Sequence, residues 1–203
     1  MSKQVLMIHG GTTFHSEKDY LDYLKNKEVK LERIVSHEYW SQNVAKDLGE
    51  EYMMLTPKMP NSTNAQYEEW KIWFEKILGV LDREIILIGH SLGGIFLVKY
   101  LAGNTVDKEI KATFLLGAPF DDELEEESLV SFALPENISG FSAQAGKIFL
   151  LHSKDDPCVP FGQALKYKKV LSEAELIVFE DKGHFNDEKF PELPELIKKA
   201  CFK

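Results

Sequence analysis

Glu84-Ile85-Ile86-Leu87-Ile88-Gly89-His90-Ser91-Leu92-Gly93-Gly94-Ile95-Phe96-Leu97-Val98 is the stretch on which the fold turns. A β-rich apolar run enters a Gly-x-Ser-x-Gly pentapeptide, and an apolar run of helical spacing leaves it. A serine becomes reactive when a tight strand-to-helix turn lifts its hydroxyl out of the backbone. Glycines there keep Cβ atoms out of the space where strand and helix nearly collide. The stretch therefore predicts a nucleophile elbow with Ser91 at its apex. A glycine-rich turn with an idle serine is the bland alternative, and it leaves the flanking strand and helix unexplained.

The same rhythm extends outward. Short β-branched runs predict strands at residues 5–9, 52–55, 85–89, 113–116, 148–152 and 176–179, with a further short strand near 31–35 against the charges there. Helical spacing predicts helices at 39–48, 65–81, 94–102, 161–171 and 191–202. In the second of these, Trp70, Trp73, Phe74, Ile77, Leu78 and Leu81 form one stripe, read as a core face and not as a substrate platform. Thr63 and Gln66 fit a capping box at its start. Strand and helix in alternation predict a three-layer α/β/α fold of one domain, residues 1–203, around a mainly parallel sheet of about six strands. Residues 120–146 break the rhythm. Beginning near the acidic run Asp121 to Glu127, they are a candidate lid or cap, since loops at the carboxyl ends of strands line the crevice of such sheets.

Bulk properties narrow the setting. A chain of 203 residues with 44% hydrophobic and 28% charged residues is of ordinary globular composition. The longest apolar stretch is broken by His90 and Ser91, so no membrane span is expected. Residues 1–10 run straight into a predicted strand, so no secretory leader is expected. Cys158 and Cys201 make no disulfide framework and match no zinc spacing, which together predict a cytoplasmic protein without a metal or cofactor. A net charge of −9 repels phosphate backbones, so nucleic acid is not an expected partner.

A serine nucleophile needs a base, and the base needs an orienting acid. His184, in Asp181-Lys182-Gly183-His184-Phe185, follows the last strand, and Gly183 frees the loop to turn the imidazole over the sheet. His90 is expected to point away from the elbow, His9 to shape a loop, and His15 and His37 have no such context. The acid belongs in Ser153-Lys154-Asp155-Asp156-Pro157-Cys158-Val159-Pro160, which offers Asp155 and Asp156 after a strand. For the oxyanion, the amide of Leu92 supplies one donor. The loop His9-Gly10-Gly11-Thr12 supplies the other, from Gly11 or, failing that, Thr12. Packing or hydrogen bonding is the commoner role for a histidine placed like His152. As a side chain facing the pocket it joins Thr12 and Phe185 as candidate substrate contacts. Cys158 is expected at the pocket rim as a small apolar filler.

These segments resemble those of the α/β-hydrolase superfamily, and within it the compact serine hydrolases of the retinoblastoma-binding protein nine and YdeN type. The order serine, acid, histidine is that of the superfamily. In the Asp-Asp-Pro-x-x-Pro pattern of this group the acid lies four residues before the second proline, which selects Asp156. The resemblance implies a cofactor-independent serine hydrolase acting on a small acyl substrate, a carboxylic ester or else a thioester or amide. Its catalytic residues are then Ser91, Asp156 and His184. His152 stands where such relatives tend to have glycine, and residues 12–52 are longer than the smallest members need, so substrate preference does not carry over. Two further readings are an acyltransferase with the same triad and a protein-interaction module that presents the acidic run to a basic partner.

Overall fold

The computed structural model describes residues 2–31, 35, 40–124, 128–187 and 189–201. Six strands form one all-parallel sheet: β1 (Lys3–Ile8), β2 (Tyr52–Leu55), β3 (Glu84–His90), β4 (Glu109–Leu116), β5 (Lys147–Ser153) and β6 (Glu175–Phe179). Their spatial order is β2-β1-β3-β4-β5-β6. The chain runs first to one side of β1 and then to the other, so the order reverses between β1 and β3. At such a switch point the loops leaving the strands diverge and open a crevice. Ile8 is in register with Gly89, and His90 with Leu116. The turns after β1, β3 and β4 therefore emerge side by side.

Period-2 alternation divides the core. Leu6, Ile85, Leu87, Leu115 and Leu150 face one layer with the helices α3 (Tyr67–Leu78), α4 (Leu92–Gly103) and α6 (Gly162–Val170). Val5, Met7, Ile86, Ile88, Phe114 and Leu151 face the other, against α2 (Trp40–Leu48) and α7 (Glu192–Cys201). Helix α4 is apolar on nearly every side because it lies inside the molecule, directly behind the elbow.

The expected strands are all present, the last four with one to four more residues at their amino ends. The strand expected near 31–35 falls mostly outside the described residues. Two helices were not foreseen, α1 (Glu17–Asn26) and α5 (Ser139–Gln144). The capping box at Thr63 and Gln66 does not form. Ser62–Asn64 is a short 3₁₀ turn pinned by the Ala65 amide on Thr12 O, and Gln66 precedes α3 with no side-chain cap. Trp73 is 42% exposed and leaves the expected stripe, of which Trp70, Phe74 and Leu78 are buried on α3; Tyr67, not foreseen in it, is buried beside them.

The segment 120–146 is docked at several points. Phe132 and Phe141 are buried. Lys99 Nζ donates to Ser131 O and Ala133 O, and the Tyr67 amide donates to Ser131 Oγ. Thr13 Oγ1 donates to Ser128 O. Of the acidic run, Asp121 and Glu123 pair with Lys166 on α6, while residues 125–127 are outside the described set.

Candidate active site

Ser91 has φ +53° and ψ −124°, a conformation an L-residue holds only where its surroundings impose it. Its amide donates to Leu116 O at 2.8 Å, and its carbonyl accepts from the Gly94 amide at 2.8 Å. Space at the turn is exhausted: a Cβ on Gly89 would lie 2.5 Å from Gly94 Cα, and one on Gly93 would lie 2.2 Å from Ile8 O. The elbow is thus wedged against the end of β1. On the far side, a Cβ on Gly10 would lie 3.1 Å from Ser91 Cβ and 3.5 Å from its Oγ. Gly10, which the sequence reading passed over in favour of its neighbour, is the residue that borders the serine.

Gly11 is crowded as well, with Ser62 O, Leu92 Cδ2 and Trp70 Cζ2 within 3.2 Å of where its Cβ would be. The Thr12 amide is engaged by Ser62 O at 2.8 Å, which removes Thr12 as an oxyanion donor. His9 shapes this loop as expected, its Nε2 accepting from the Met59 amide at 2.9 Å.

Asp156 and His184 are brought together by the turns after β5 and β6. His184 Nδ1 lies 2.8 Å from Asp156 Oδ2. The other carboxylate oxygen, Oδ1, accepts from the amides of Cys158 and Val159 at 2.8 and 2.9 Å. Burial pushes the Asp156 carboxyl up, but the His184 hydrogen bond and charge and these two amides outweigh it, and the group is held below its ordinary value. The loop carrying His184 is fastened separately. Asp155 Oδ1 accepts from the Gly183 amide at 2.9 Å, Ser153 Oγ accepts from the Lys182 amide at 2.9 Å, and His90 Nε2 lies 2.8 Å from His184 O. Gly183 at φ +49° and Phe185 at φ +53° bend the chain sharply on either side of the imidazole.

Between these groups and the elbow stands Gly117, φ +51°, which directly follows the Leu116 carbonyl held by Ser91. A Cβ there would lie 3.2 Å from both Asp156 Oδ2 and His184 Nδ1. Its one mark in the sequence is a glycine at a strand end followed two residues later by Pro119.

Two candidate substrate contacts, His152 and Phe185, are buried, His152 in the packing role that is commoner for such a histidine. His152 is 2% exposed, with Nε2 bound to Val159 O at 2.8 Å and 3.8 Å from Asp156 Oδ2, so it packs behind the acid. Burial drives its ring toward the neutral form. Phe185 is 3% exposed because its positive φ swings the ring inward between Phe179 and Phe190. Cys158, expected at the pocket rim as a small apolar filler, is exposed. Thr12 is partly buried in the β1 loop. A separate cleft of about 650 Å³ opens at the amino ends of the strands, lined by Gln4, Arg83, Lys111 and Lys147 among others. Lys111 is paired there with Glu84 and Glu109, and Lys147 donates to Ala200 O. Ser91, Asp156 and His184 follow the carboxyl ends of β3, β5 and β6, at the other end of the sheet.

Residues 34–199 match the model of the serine hydrolase family. The chain belongs to the serine hydrolase family. This serine hydrolase is 29% identical over 149 residues to serine hydrolase RBBP9 of Rattus norvegicus, an alignment spanning 72% of this chain and 77% of the relative. Its fold is similar to that of the ydeN gene product of B. subtilis, with a TM-score of 0.77, 18% identity and 98% of each chain covered. It also resembles a meta-cleavage product hydrolase of Pseudomonas fluorescens, with a TM-score of 0.66, 15% identity, and 98% and 90% of the two chains covered. Among the described residues, no helix is long and apolar enough to cross a membrane.

Proposed function

We propose that this serine hydrolase cleaves a small carboxylic ester through an acyl-enzyme on Ser91. The contact of 2.8 Å between His184 Nδ1 and Asp156 Oδ2, together with a serine strained at φ +53° at the elbow, carries the reading. With Nδ1–H donated to the carboxylate, His184 presents Nε2 as the base. Ser91 Oγ attacks the ester carbonyl as Nε2 takes its proton, and the carbonyl electrons move onto oxygen. The amides of Leu92, at the positive end of α4, and of Gly11 receive that oxyanion. Collapse breaks the acyl–oxygen bond, and the alcohol leaves with the proton from Nε2. Water then repeats the cycle on the acyl-enzyme, releasing the acid and restoring Ser91. Asp156 fixes the imidazole tautomer and stabilises the imidazolium while it exists.

Thioesters and small amides share the tetrahedral intermediate, and an added alcohol or amine in place of water turns hydrolysis into acyl transfer. Of the acidic run on which the interaction-module reading relies, Asp121 and Glu123 are already matched by Lys166.

Intact-mass labelling with a fluorophosphonate tests the proposal. The wild type is expected to take one adduct, Ser91→Ala none, and His184→Ala one formed far more slowly. A folded wild type that takes no adduct would refute it.

A further inference from the structure

The acid–base pair has a third neighbour that the hydrolytic reading leaves unused. Cys158 lies two residues after Asp156, and its Sγ, a carboxylate oxygen of Asp156 and a ring nitrogen of His184 are all within 4.8 Å of one another. The three differ in exposure: Asp156 is buried, His184 is partly buried and Cys158 is exposed. The cluster therefore opens to solvent on the side of the thiol, and its inner wall is the carboxylate.

One thiolate, one imidazole and one carboxylate are the donor types that borderline-soft Zn²⁺ takes, at bond lengths of about 2.0–2.3 Å. Tetrahedral geometry at those lengths separates neighbouring ligand atoms by roughly 3.3–3.8 Å. Atoms already within 4.8 Å of one another reach that spacing by side-chain rotation of the exposed cysteine and a small shift of the imidazole. The charges also match, since a thiolate and a carboxylate neutralise a divalent cation while imidazole binds neutral. A hard cation such as Mg²⁺ keeps its oxygen shell and finds no use for the sulfur.

We propose that Asp156, Cys158 and His184 form a reversible zinc site whose occupation switches the hydrolase off. The proposal rests on the assignment of Asp156 and His184 as the acid–base pair. Binding releases the thiol proton to solvent, and a water completes the fourth position. An ion on His184 Nδ1 breaks the hydrogen bond to Asp156. An ion on Nε2 occupies the lone pair that must take the Ser91 proton. Either way the serine loses its base. Cys158 serves the acid through its amide, which donates to Asp156 Oδ1, while the zinc site uses its sulfur.

The test uses chelator-treated full-length protein, with Zn²⁺ for inhibition and Co²⁺ as a spectroscopic probe of binding. Wild type is expected to lose ester hydrolysis on addition of Zn²⁺ and to recover it with excess chelator, with Mg²⁺ inert. Co²⁺ is expected to give a thiolate charge-transfer band on wild type, on Ser91→Ala and on Cys201→Ser, and none on Cys158→Ser. Cys158→Ser keeps the amide that serves Asp156, and its response to Zn²⁺ is read against its own zinc-free rate. Its sensitivity to Zn²⁺ should fall by at least about a hundredfold, the upper end of what loss of even an outer-shell partner produces. Equal zinc sensitivity in Cys158→Ser and wild type, or a band that survives in Cys158→Ser, would overturn the site. A wild type that shows the Cys158-dependent band yet neither hydrolyses ester nor takes a fluorophosphonate would uphold the ion site and overturn the catalytic assignment.

Discussion

Asp155 and Asp156, adjacent at the head of β5, hold two different parts of the same loop. Asp156 Oδ2 meets the imidazole of His184 at 2.8 Å, while Asp155 Oδ1 accepts from the Gly183 amide at 2.9 Å and from Ser153 Oγ at 2.5 Å. One carboxylate sets the ring and its neighbour sets the backbone that carries the ring. Their substitutions should therefore separate. Asp156→Asn removes the charge that stabilises an imidazolium and favours the wrong tautomer, so turnover should fall by about four orders of magnitude with folding nearly intact.

Asp155→Ala should act by displacement alone. A misplacement of roughly 1 Å in a reacting group lowers rate by about a hundredfold, which bounds the expected loss. Asp155→Asn keeps an oxygen to accept from Gly183 and should recover most of it. Steady-state kinetics on a chromogenic ester, read alongside melting curves, distinguish the two positions. Equal losses for Asp155→Asn and Asp156→Asn would contradict the division of roles.

Gly117 offers a substitution that touches the pair without altering either member. A methyl group there meets Asp156 Oδ2 and His184 Nδ1 at 3.2 Å, in a backbone at φ +51°. The left-handed conformation alone makes Gly117→Ala less stable by about 1–2 kcal/mol. The methyl must also displace the pair by a few tenths of an ångström, so activity should drop by less than the roughly hundredfold that a misplacement of about 1 Å brings. Chemical denaturation and fluorophosphonate labelling rates check the two effects separately.

Two glycines at opposite ends of α4 provide a matched contrast. A Cβ on Gly93 would lie 2.2 Å from Ile8 O, within backbone that cannot yield, whereas Gly103 has nothing within 4 Å of its position. Gly93→Ala is expected to destabilise by about 3 kcal/mol or more, as overpacking of a closed core does. Gly103→Ala, in a helical residue with open space, is expected to stabilise by about 0.5–1 kcal/mol. Urea midpoints measured side by side decide it.

What the sequence disclosed, and what it withheld, follows from where the information resides. The runs at 85–88 and 148–151 disclose their strands because buried parallel strands need unbroken apolar residues, and the elbow is legible because its glycines are forced by contacts under 3 Å. Helix α1 buries none of its residues, so no core periodicity marked it, although Ser16 caps it by accepting from the Asp19 amide. Phe185 reads as a pocket residue from its place beside His184. Only the positive φ, invisible in a side-chain pattern, turns it into the core. Trp73 sits at helical spacing from Trp70 but beyond the width of the buried face, which is set by the sheet and not by the helix. Gly117 and Asp155 act through contacts that depend on the meeting of β4, β5 and the loop after β6, and no local motif encodes that meeting.

Histidine burial should make the fold acid-sensitive well above the carboxylate range. Burial pushes His90 down to about 4, the charge of His184 adding to the effect, and burial also lowers His152. In the unfolded chain both rings take up a proton near pH 6.5, whereas in the folded protein they resist it. As pH falls through that window the unfolded state binds more protons, so stability is full above about pH 6.5 and declines below it. At about 1.4 kcal/mol for each pH unit, His90 alone accounts for a loss of about 3 kcal/mol by pH 4. Asp156, held low in the folded state, adds its own loss only as pH falls below the ordinary carboxylate value. His90→Gln retains a donor for His184 O but cannot titrate. Its urea midpoint should therefore fall less steeply between about pH 6.5 and 4 than that of wild type, and parallel curves for the two proteins would show that His90 is protonated in the fold.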